Sequence, residues 1–331
     1  MNSLFQLNDV HFVVGPSPVM QKVYQLILKA ARTDFPVMIT GETGAGKEVA
    51  ARFIHYHSHR KNNPFVKINC AVFSPQLIES EFFGHEKGSF TGADATRLGH
   101  LEMANQGSLL LDEINEIDIH LQAKLLQVIE DNCFERVGSS FPQKIDVRFI
   151  ATCNQNINDI IKDGKFRADL YYRLNVIHIN IPPLREHKED IILLIQDFLD
   201  LRYKQNNIQP KRFHEKAFKL LLDYDWPGNI RELLNFLRRI TTFVTEDDYV
   251  MPEQIIDLFE QTSESIHNDK EVFMGLPLSH IEKEAIQSTL FYYKGNQQKT
   301  AQHLGISDRT LRNKIKQYAI DNGRADMKGY L

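Results

Sequence analysis

The stretch Gly41-Glu42-Thr43-Gly44-Ala45-Gly46-Lys47 decides the fold, because it follows the apolar run Val37-Met38-Ile39 and opens a helix-forming segment. Glycines let backbone N–H groups wrap around phosphates, and the N-terminus of the following helix adds partial positive charge. Lys47 is spaced to reach β- and γ-phosphate oxygens. The stretch therefore predicts a P-loop in an α/β domain that binds ATP.

The residue after Lys47 differs from the general P-loop pattern. That pattern has Ser or Thr there as a magnesium ligand, and this chain has Glu48. Binding of Mg²⁺ with ATP would then depend more on water, on the phosphates and on a carboxylate elsewhere in the site.

A second apolar run, Gly107-Ser108-Leu109-Leu110-Leu111, ends in the carboxylates Asp112 and Glu113. Open α/β sheets bind ligands at the C-terminal ends of their strands. The run fits a Walker B strand, which predicts that Asp112 holds Mg²⁺ and that Glu113 orients and polarises the attacking water. The alternative interpretation of Asp112 and Glu113 is an exposed acidic turn after a strand. The presence of a P-loop in the same chain favours the Walker B interpretation.

Apolar runs alternate with helix-period segments over the first half of the chain, which favours a parallel α/β sheet. The predicted strands cover residues 36–40, 65–69, 108–112, 147–152 and 176–181. After Pro182-Pro183 the strand signals stop, and residues 190–202, 214–223 and 229–242 have helical periodicity. A small all-helical second domain is predicted there.

Residues 262–275 are polar and predict a linker, and residues 278–318 are again helical. We therefore expect five segments: 1–13 as a short N-terminal segment, 14–182 as the α/β domain, 183–261 as its helical lid, 262–275 as the linker and 276–331 as a C-terminal all-α domain. About a dozen residues before Val14 are too few for a receiver or sensor domain that folds alone.

The composition indicates a globular chain without membrane insertion. No apolar run approaches the roughly 18 residues of a membrane span, and no signal peptide precedes Val14. Cys70, Cys133 and Cys153 form no Cys-x-x-Cys pair, which favours reduced thiols in the cytoplasm. The net charge is −4, so the chain as a whole is no polyanion binder.

The C-terminal segment has the opposite charge. Residues 294–328 hold eight Lys or Arg against three Asp, an excess of five positive charges. Within them, residues 296–315 have the pattern of a helix-turn-helix, with Gly305 as the turn and an apolar core of Ala301, Leu304, Ile306, Leu311 and Ile315. The second helix would be capped by Ser307 and would present polar groups suited to base edges and phosphates. The residues predicted to bind DNA are Ser307, Arg309, Thr310, Arg312, Asn313 and Lys316. A plain helical hairpin is the alternative.

The string ESEFFGHEKGSFTGA, residues 79–93, resembles the signature loop of bacterial enhancer-binding proteins, the AAA+ activators of sigma-54 RNA polymerase. The resemblance implies that a mobile loop tip carries Phe90 to sigma-54, with contacts from Gly88, Ser89, Phe90, Thr91, Gly92 and Ala93. The family usually has Ala where this chain has Ser89. A Gly-rich surface turn is the alternative for the hexapeptide by itself.

The same resemblance assigns further roles. Glu48 matches the family's P-loop, and the nucleotide site is implied to include Gly41, Glu42, Thr43, Gly44, Ala45, Gly46, Lys47, Glu48, Asp112, Asn154 and Arg231. Asn154 resembles sensor I, where the preceding Cys153 replaces the family's Thr, and Arg231 in the string WPGNIREL resembles sensor II.

Three more residues take catalytic roles by resemblance. Asn69 resembles a switch that holds the catalytic Glu away from water, with a strand-end cap as the alternative. Arg167 and Arg173 resemble arginine fingers, with surface salt bridges as the alternative. If both lie on one helix, their spacing of six places them on different faces.

The resemblance implies an α/β AAA+ P-loop ATPase with a parallel sheet, a helical lid and a Fis-type helix-turn-helix domain. Such a chain would bind upstream enhancer DNA and activate sigma-54 RNA polymerase as a hexameric ring. The resemblance also implies a dimer as the inactive form and control by a trans-acting regulator. A protein unfoldase or helicase loader is one alternative, against which the Phe90 loop and the helix-turn-helix argue. A DNA-binding regulator that has lost polymerase contact is the other, and it predicts decayed motifs.

His55, His57 and His59 suggest a metal site. Alternate residues on a helix lie about 200° apart, so they would not converge on one ion. We expect no metal there.

Overall fold

The computed structural model describes residues 3–7, 10–72, 75–155, 157–206, 212–243, 249–267, 282–283, 285–287, 289–290, 293 and 295–318. The chain divides into two compact units, Met1–Leu258 and Phe259–Leu331. Each unit has its own buried hydrophobic cluster. Among the described residues, no helix is both long enough and apolar enough to span a bilayer.

A five-stranded parallel sheet forms the centre of the first unit, with strand order β4-β5-β8-β3-β9. Its strands are β3 (Val37–Thr40), β4 (Phe65–Asn69), β5 (Ser108–Asp112), β8 (Arg148–Cys153) and β9 (Ile177–Asn180). All five predicted runs are strands, and the predicted fold class is confirmed. The order puts β3, which precedes the P-loop, beside β8 and one strand away from β5.

Two hydrophobic layers cover the sheet, and the leucines of β5 show why. Leu109 and Leu111 pack in the cluster that holds Phe82. Leu110 packs in the opposite cluster, which holds Ile27. Side chains alternate between the two faces of a strand, so a strand buried on both faces must be apolar throughout. The helices of these layers are α1 (Pro18–Ala31), α2 (Lys47–Tyr56), α3 (Pro75–Phe83), α4 (His100–Met103), α5 (Ile119–Asp131), α6 (Ile157–Lys162) and α7 (Ala168–Leu174).

Short strand pairs lie outside the main sheet. β1 (Ser3–Leu7) and β2 (Val10–Val14) form an antiparallel hairpin in the predicted N-terminal segment. β6 (Cys133–Phe134) pairs antiparallel with β7 (Gln143–Lys144). The sequence predicted neither pair: β6 and β7 have two residues each, too few for any periodicity, and residues 1–13 were predicted only as a short N-terminal segment.

The predicted helical lid is present. Its helices are α8 (Ile191–Asn206), α9 (Glu215–Asp223), α10 (Asn229–Phe243) and α11 (Pro252–His267). The expectation that strands stop after Pro183 was wrong in one detail, because β10 (Arg212–Phe213) pairs parallel with β11 (Tyr249–Val250). Trp226 is fully buried and its ring packs on Phe236 at 5.6 Å.

The predicted linker begins too early. α11 continues through His267, so residues 262–267 are helical. The polar composition of residues 262–267 suggested a linker. A helix that buries a single apolar face can nevertheless have polar residues over the rest of its surface. Residues 268–281, the rest of the predicted linker and the start of the C-terminal domain, lie outside the described residues.

The second unit contains the predicted helix-turn-helix. Its two helices are Gln297–Leu304 and Asp308–Gln317, and Gly305 between them has a φ of 69°, which favours glycine. The predicted core residues Ala301, Leu311 and Ile315 are buried together with Ile286 and Leu290.

Candidate functional site

The P-loop leads directly from β3 into α2. Gly46 precedes α2 with a φ of 102° and caps it with no side-chain hydrogen bond, so the first backbone N–H groups of α2 are open to a ligand. Lys47 is buried, and its Nζ donates to the carbonyls of Gly41 at 2.7 Å and Glu42 at 2.9 Å. Burial lowers the pKa of Lys47, while Asp112 opposes that shift.

The lid lies directly on the P-loop. The Arg231 N–H donates to the Gly44 carbonyl at 3.3 Å. A Cβ on Gly44 would lie 2.2 Å from the carbonyl oxygen of Gly228, so only glycine fits at this contact. The side-chain amide of the buried Asn229 donates to Glu42 Oε2 at 3.1 Å and to the Thr43 carbonyl at 3.0 Å.

A polar clamp continues from this contact. Arg185 donates to Glu42 Oε2 at 2.8 Å, and Asn229 Oδ1 accepts the N–H of Leu184 at 2.8 Å. The hydrogen bonds from Arg185 and Asn229 lower the pKa of Glu42 to about 2. The sequence did not predict the clamp, since its members lie up to 187 positions apart.

The two predicted Walker B carboxylates share one hydroxyl. Thr152 at the end of β8 donates to Asp112 Oδ1 at 2.6 Å, and its oxygen accepts the N–H of Glu113 at 2.9 Å. Glu113 has a φ of 57°, a left-handed conformation that is uncommon for non-glycine residues. Such strain concentrates at functional sites.

A cleft of about 350 Å³ joins the P-loop, the acidic pair and the lid. We call it the P-loop cleft, and it is lined by Thr43, Gly44, Gly46, Lys47, Glu48, Val49, Asp112, Glu113, Ile230, Arg231, Leu234 and Arg238. The sequence did not predict Arg238, but a spacing of seven places it on the same face of α10 as Arg231. Open N–H groups and cations around the cleft fit a nucleoside triphosphate.

Lys67 on β4 is a further residue that the sequence did not predict. Its Nζ lies 2.8 Å from Asp112 Oδ2 and 2.7 Å from Glu48 Oε2. Burial lowers the pKa of Lys67, but the hydrogen bonds and charges of Asp112 and Glu48 outweigh this effect and the net pKa is raised. Asp112 is thus held by a hydroxyl on one oxygen and an ammonium on the other.

The side chains with predicted sensor and switch roles lie at the same edge of the sheet. Asn154 follows β8, and its buried Oδ1 has no hydrogen-bond partner. The Asn69 Oδ1 accepts the N–H of Ala71 at 2.9 Å, which is the strand-end cap that was the alternative for this residue. Cys153, which precedes Asn154, is buried and burial raises its pKa, and its Sγ donates to the Gln155 carbonyl at 3.3 Å.

The two predicted finger arginines lie at opposite ends of α7. Arg167 precedes the helix at its cap and pairs with Asp169 at 2.7 Å. Arg173 lies exposed in the last turn. The two arginines therefore do not both lie within one helix, since Arg167 has extended backbone. Tyr172, next to Arg173, is 74% exposed.

The predicted sigma-54 loop is a tight turn with a half-exposed aromatic tip. The Gly88 N–H donates to the Ala93 carbonyl at 2.9 Å, and Ala93 is buried. Phe90 is 42% exposed, and its ring lies edge-on to His85 at 5.0 Å. The Ser89 hydroxyl is buried without a partner.

A neighbouring segment supports this turn. A Cβ on Gly138 would lie 2.5 Å from the Ser89 Cβ, so Gly138 fits closely against it. Arg136 donates to Glu86 at 2.8 Å and to Glu102 at 2.6 Å, which ties this segment to the base of the loop. The sequence predicted neither residue.

The three histidines each have a separate partner. His55 Nδ1 hydrogen-bonds with the Ser108 hydroxyl at 2.9 Å, His57 with the Phe53 carbonyl at 3.0 Å, and His59 pairs with Asp34 at 3.0 Å. In the part of the chain that the structure describes, no group of three or more His, Cys, Asp or Glu could hold a metal ion.

The second helix of the helix-turn-helix has a polar exposed face. Ser307 caps it by accepting the Thr310 N–H at 3.1 Å. The predicted DNA-binding residues on this helix are all exposed: Arg309, Thr310, Arg312, Asn313 and Lys316. Lys314 lies elsewhere and pairs with Glu282 at 2.7 Å.

Comparison with family models identifies three consecutive regions. Residues 13–180 match the sigma-54 interaction domain, 185–271 the AAA+ ATPase lid domain, and 277–318 the bacterial regulatory protein, Fis family. The chain belongs to the sigma-54-dependent transcriptional activators. This activator is therefore an ATPase with a Fis-type DNA-binding domain, and ATP-driven remodelling is typical of its family.

Relatives of the activator agree with this assignment. The transcriptional regulatory protein FlbD of Caulobacter vibrioides is 40% identical over 324 residues, which cover 94% of this chain and 71% of that protein. The regulatory protein AtoC of Escherichia coli is 42% identical over 317 residues, covering 93% of this chain and 68% of that protein.

Solved structures show the same fold. NtrX from Brucella abortus in complex with ADP has a TM-score of 0.72 at 34% identity, over 93% of this chain and 69% of that one. A RuvB mutant of Thermotoga maritima, at 15% identity and a TM-score of 0.52 over 92% of this chain and 88% of that one, shares the fold alone.

Proposed function

We propose that this activator hydrolyses Mg²⁺–ATP between the subunits of a ring and uses the hydrolysis to move the Phe90 loop against sigma-54 on promoter DNA. The observation that carries the proposal is the P-loop cleft, where Lys47 and the acidic pair of Asp112 and Glu113 meet Arg231 of the lid. A nucleotide in this cleft would touch both subdomains, so its state would bias their relative position.

The residues of the cleft divide the chemistry among them. Bound Mg²⁺–ATP would supply the phosphoanhydride bond and the metal charge beside it. Lys47 and the N-terminus of α2 bind phosphate oxygens, and Asp112 is the residue to hold the metal. Glu113 orients the attacking water and accepts its proton. Asn154 and Arg231 hold the γ-phosphate from the sheet and the lid.

We assign the remaining roles at the subunit boundary by their exposure. Arg173 is exposed beside the exposed Tyr172, which supports a role across a boundary between copies of this chain. Arg167 pairs with Asp169, so it must leave that carboxylate to act as a finger. Asn69 remains our candidate for the switch on Glu113. A hexamer, an inactive dimer and a trans-acting regulator are part of the proposal.

The domain boundaries follow the same organisation. We propose an ATPase core from 14 to 182, a lid that begins at 183 and continues at least through His267, and a DNA-binding domain from 276 onward. The matched family ranges and the length of α11 support these limits.

The DNA-binding face sets where the activator works. Arg309 and Arg312 are exposed on the second helix of the helix-turn-helix, so they can reach base edges in a major groove. We propose binding at enhancer DNA upstream of sigma-54 promoters, and hence action in the cytoplasm, where the chromosome lies.

A DNA-dependent assay tests the proposal. The double variant Arg309→Ala/Arg312→Ala should lose specific binding and open-complex formation on a sigma-54 promoter with an upstream site, while its ATP hydrolysis stays unchanged. The control Lys61→Ala/Lys144→Ala removes the same charge from exposed positions of the ATPase unit. Unchanged specific affinity of the first variant in a salt-matched titration would contradict the DNA assignment.

A further inference from the structure

Lys67 lies where two acidic side chains of the P-loop cleft meet. Glu48 lies in the first turn of α2 and Asp112 ends β5. The Lys67 Nζ on the edge strand β4 contacts both carboxylates, at 2.7 and 2.8 Å. An ammonium in this position offsets one of the two negative charges of a pair of carboxylates and so weakens their attraction for a divalent cation.

Every oxygen of the two carboxylates has a donor. Glu48 Oε1 accepts from Arg52 at 2.8 Å, and Glu48 Oε2 accepts from Lys67. Asp112 Oδ1 accepts from Thr152 at 2.6 Å, and Asp112 Oδ2 is paired with Lys67. Each Asp112 oxygen keeps a further lone pair, but a divalent cation bound there would lie close to the Thr152 hydroxyl or to the Lys67 ammonium.

Of these two donors, Lys67 is the exchangeable one. The Thr152 oxygen also accepts the N–H of Glu113, so moving it would disturb the catalytic carboxylate. Lys67 has a flexible four-carbon stem and a side chain that is 29% exposed, so its ammonium can leave Asp112 and remain on Glu48 or enter water. The Coulomb repulsion between an ammonium and a divalent ion on the same oxygen favours that departure.

We propose that Lys67 is a resident counter-ion of the acidic pair, which holds Asp112 in place before metal arrives and leaves its Oδ2 when a divalent metal binds. Metal binding to the nucleotide-free activator is then weak, because the metal must displace a bound cation. The phosphates of a nucleotide add the negative charge that reverses this balance. Lys67 is thus a positioning residue that makes metal and nucleotide enter together, and the inference rests on the proposed role of Asp112.

Direct metal binding tests the proposal without relying on hydrolysis. Free Mn²⁺ is titrated by electron paramagnetic resonance into the full chain without nucleotide. Lys67→Met should bind Mn²⁺ at least about tenfold more tightly than the parent, because a repulsive charge beside the metal is gone. Lys67→Arg, which keeps the charge, and Lys61→Met, an exposed lysine at the surface, should bind like the parent.

The direction of the change separates the proposal from a purely structural role. If Lys67 served only to orient Asp112, Lys67→Met would bind Mn²⁺ more weakly than the parent or equally, and either result overturns the proposal. Lys67→Gln gives the same comparison if the methionine variant does not fold, as a thermal melt would show. A parallel titration with ADP tests the metal role of Asp112: if the parent binds no Mn²⁺ even then, that assignment fails instead.

Discussion

At the scale of single residues, the proposed catalytic carboxylate, Glu113, is positioned by its backbone. Glu113 has a left-handed φ, and its N–H is fixed by the Thr152 hydroxyl, which also holds Asp112. One hydroxyl therefore sets the relative position of the proposed metal ligand and the proposed base. The Glu113 side chain lines the P-loop cleft, where a water near the γ-phosphate of a bound ATP would lie.

Glu113→Gln should keep ATP binding and lose turnover by roughly 10²-fold or more, since a positioned base contributes on that order. The amide has nearly the same shape and cannot accept the proton. Lys47→Ala should lose ATP binding itself. Equilibrium nucleotide binding and phosphate release check both variants, and Glu116→Gln, an exposed neighbour, is the control. Parental turnover in Glu113→Gln would show that another group activates the water.

His55 gives the activator a pH-dependent stability. Its side chain is 1% exposed and hydrogen-bonds with Ser108. Burial is the main cause that lowers the pKa of His55 to about 4, and the positive charges of Arg148 and Arg60 lower it further. The folded state therefore binds fewer protons than the unfolded state between about pH 4 and 6.5. The contribution of neutral His55 is complete above pH 6.5 and is lost as the pH falls toward 4.

The free energy of unfolding should thus fall by about 1–3 kcal/mol between pH 7.5 and 5 on account of His55. Urea unfolding at both pH values measures this. His55→Phe, which does not titrate, should lose less over the interval, and the exposed His120→Gln should behave as the parent does. Equal losses in His55→Phe and the parent would show that other groups cause the effect. Glu42, with its pKa near 2, contributes a loss only at lower pH, below about 4.5.

Residues within a local motif could be predicted, and partners across the sheet could not. Lys47, Asp112 and Glu113 follow from strand-loop order, and the structure brings them to one cleft. Lys67 and Thr152 meet Asp112 only because β4, β5 and β8 are neighbours in a particular register. No spacing along the chain encodes that register, so these contacts required the structure.

At the scale of elements, the Phe90 loop is a tight turn packed on a second segment. Its backbone closes from Gly88 to Ala93, and the Ser89 side chain fits against Gly138. The sequence predicted an exposed aromatic tip, and the half-exposed Phe90 agrees with that prediction. The support from Gly138 could not be predicted, because residues near 138 have no recognisable period.

Phe90→Ala should cost well under the 3–5 kcal/mol typical of a buried Phe, since the ring contacts His85 from a half-exposed position. ATP hydrolysis should stay within about twofold, because no residue of the loop lines the P-loop cleft. Engagement of sigma-54 and open-complex formation should be lost. Pull-down with a transition-state analogue, a thermal melt and phosphate release measure the three effects.

Ser89→Ala is the matched variant in the same turn. It removes a buried hydroxyl without a partner, so stability should stay equal or rise by up to about 1 kcal/mol. Sigma-54 engagement should be kept or improved. Normal promoter opening by Phe90→Ala, or a melting temperature far below the parent's, would make Phe90 a bystander or a core residue.

The limits of the helices were harder to predict from the sequence than their presence. Three of the four lid helices, α8, α9 and α10, were predicted within a few residues, because apolar periodicity and the Pro-Gly turn before Asn229 mark them. The sequence predicted neither α11 nor the cap at Arg167. A polar helix end and a linker have similar composition, so the sequence does not separate them.

At the scale of the whole molecule, one chain supplies the residues that line the P-loop cleft, which under our proposal are the cis half of a site shared between subunits. Lys47, Glu113 and Arg231 all line it from the same copy. Arg173 is exposed at the end of α7 and is absent from the residues that line the cleft in the described part of the chain. A finger role for Arg173 therefore requires a neighbouring copy, which makes subunit mixing informative.

Mixing Arg173→Ala with Lys47→Ala subunits should restore part of the ATP hydrolysis that each variant lacks alone. Some boundaries would join the intact P-loop of an Arg173→Ala subunit to the intact finger of a Lys47→Ala subunit, and a finger contributes roughly 10³–10⁵ in rate. Mixing Lys47→Ala with Glu113→Gln is the control, because both changes damage the cis half and no boundary becomes intact. Phosphate release from mixtures whose joint assembly is shown by size separation measures the recovery. Joint rings without recovery would place Arg173 outside the shared site, whereas recovery in the control as well would mean that mixing stabilises assembly and reveals nothing about the finger.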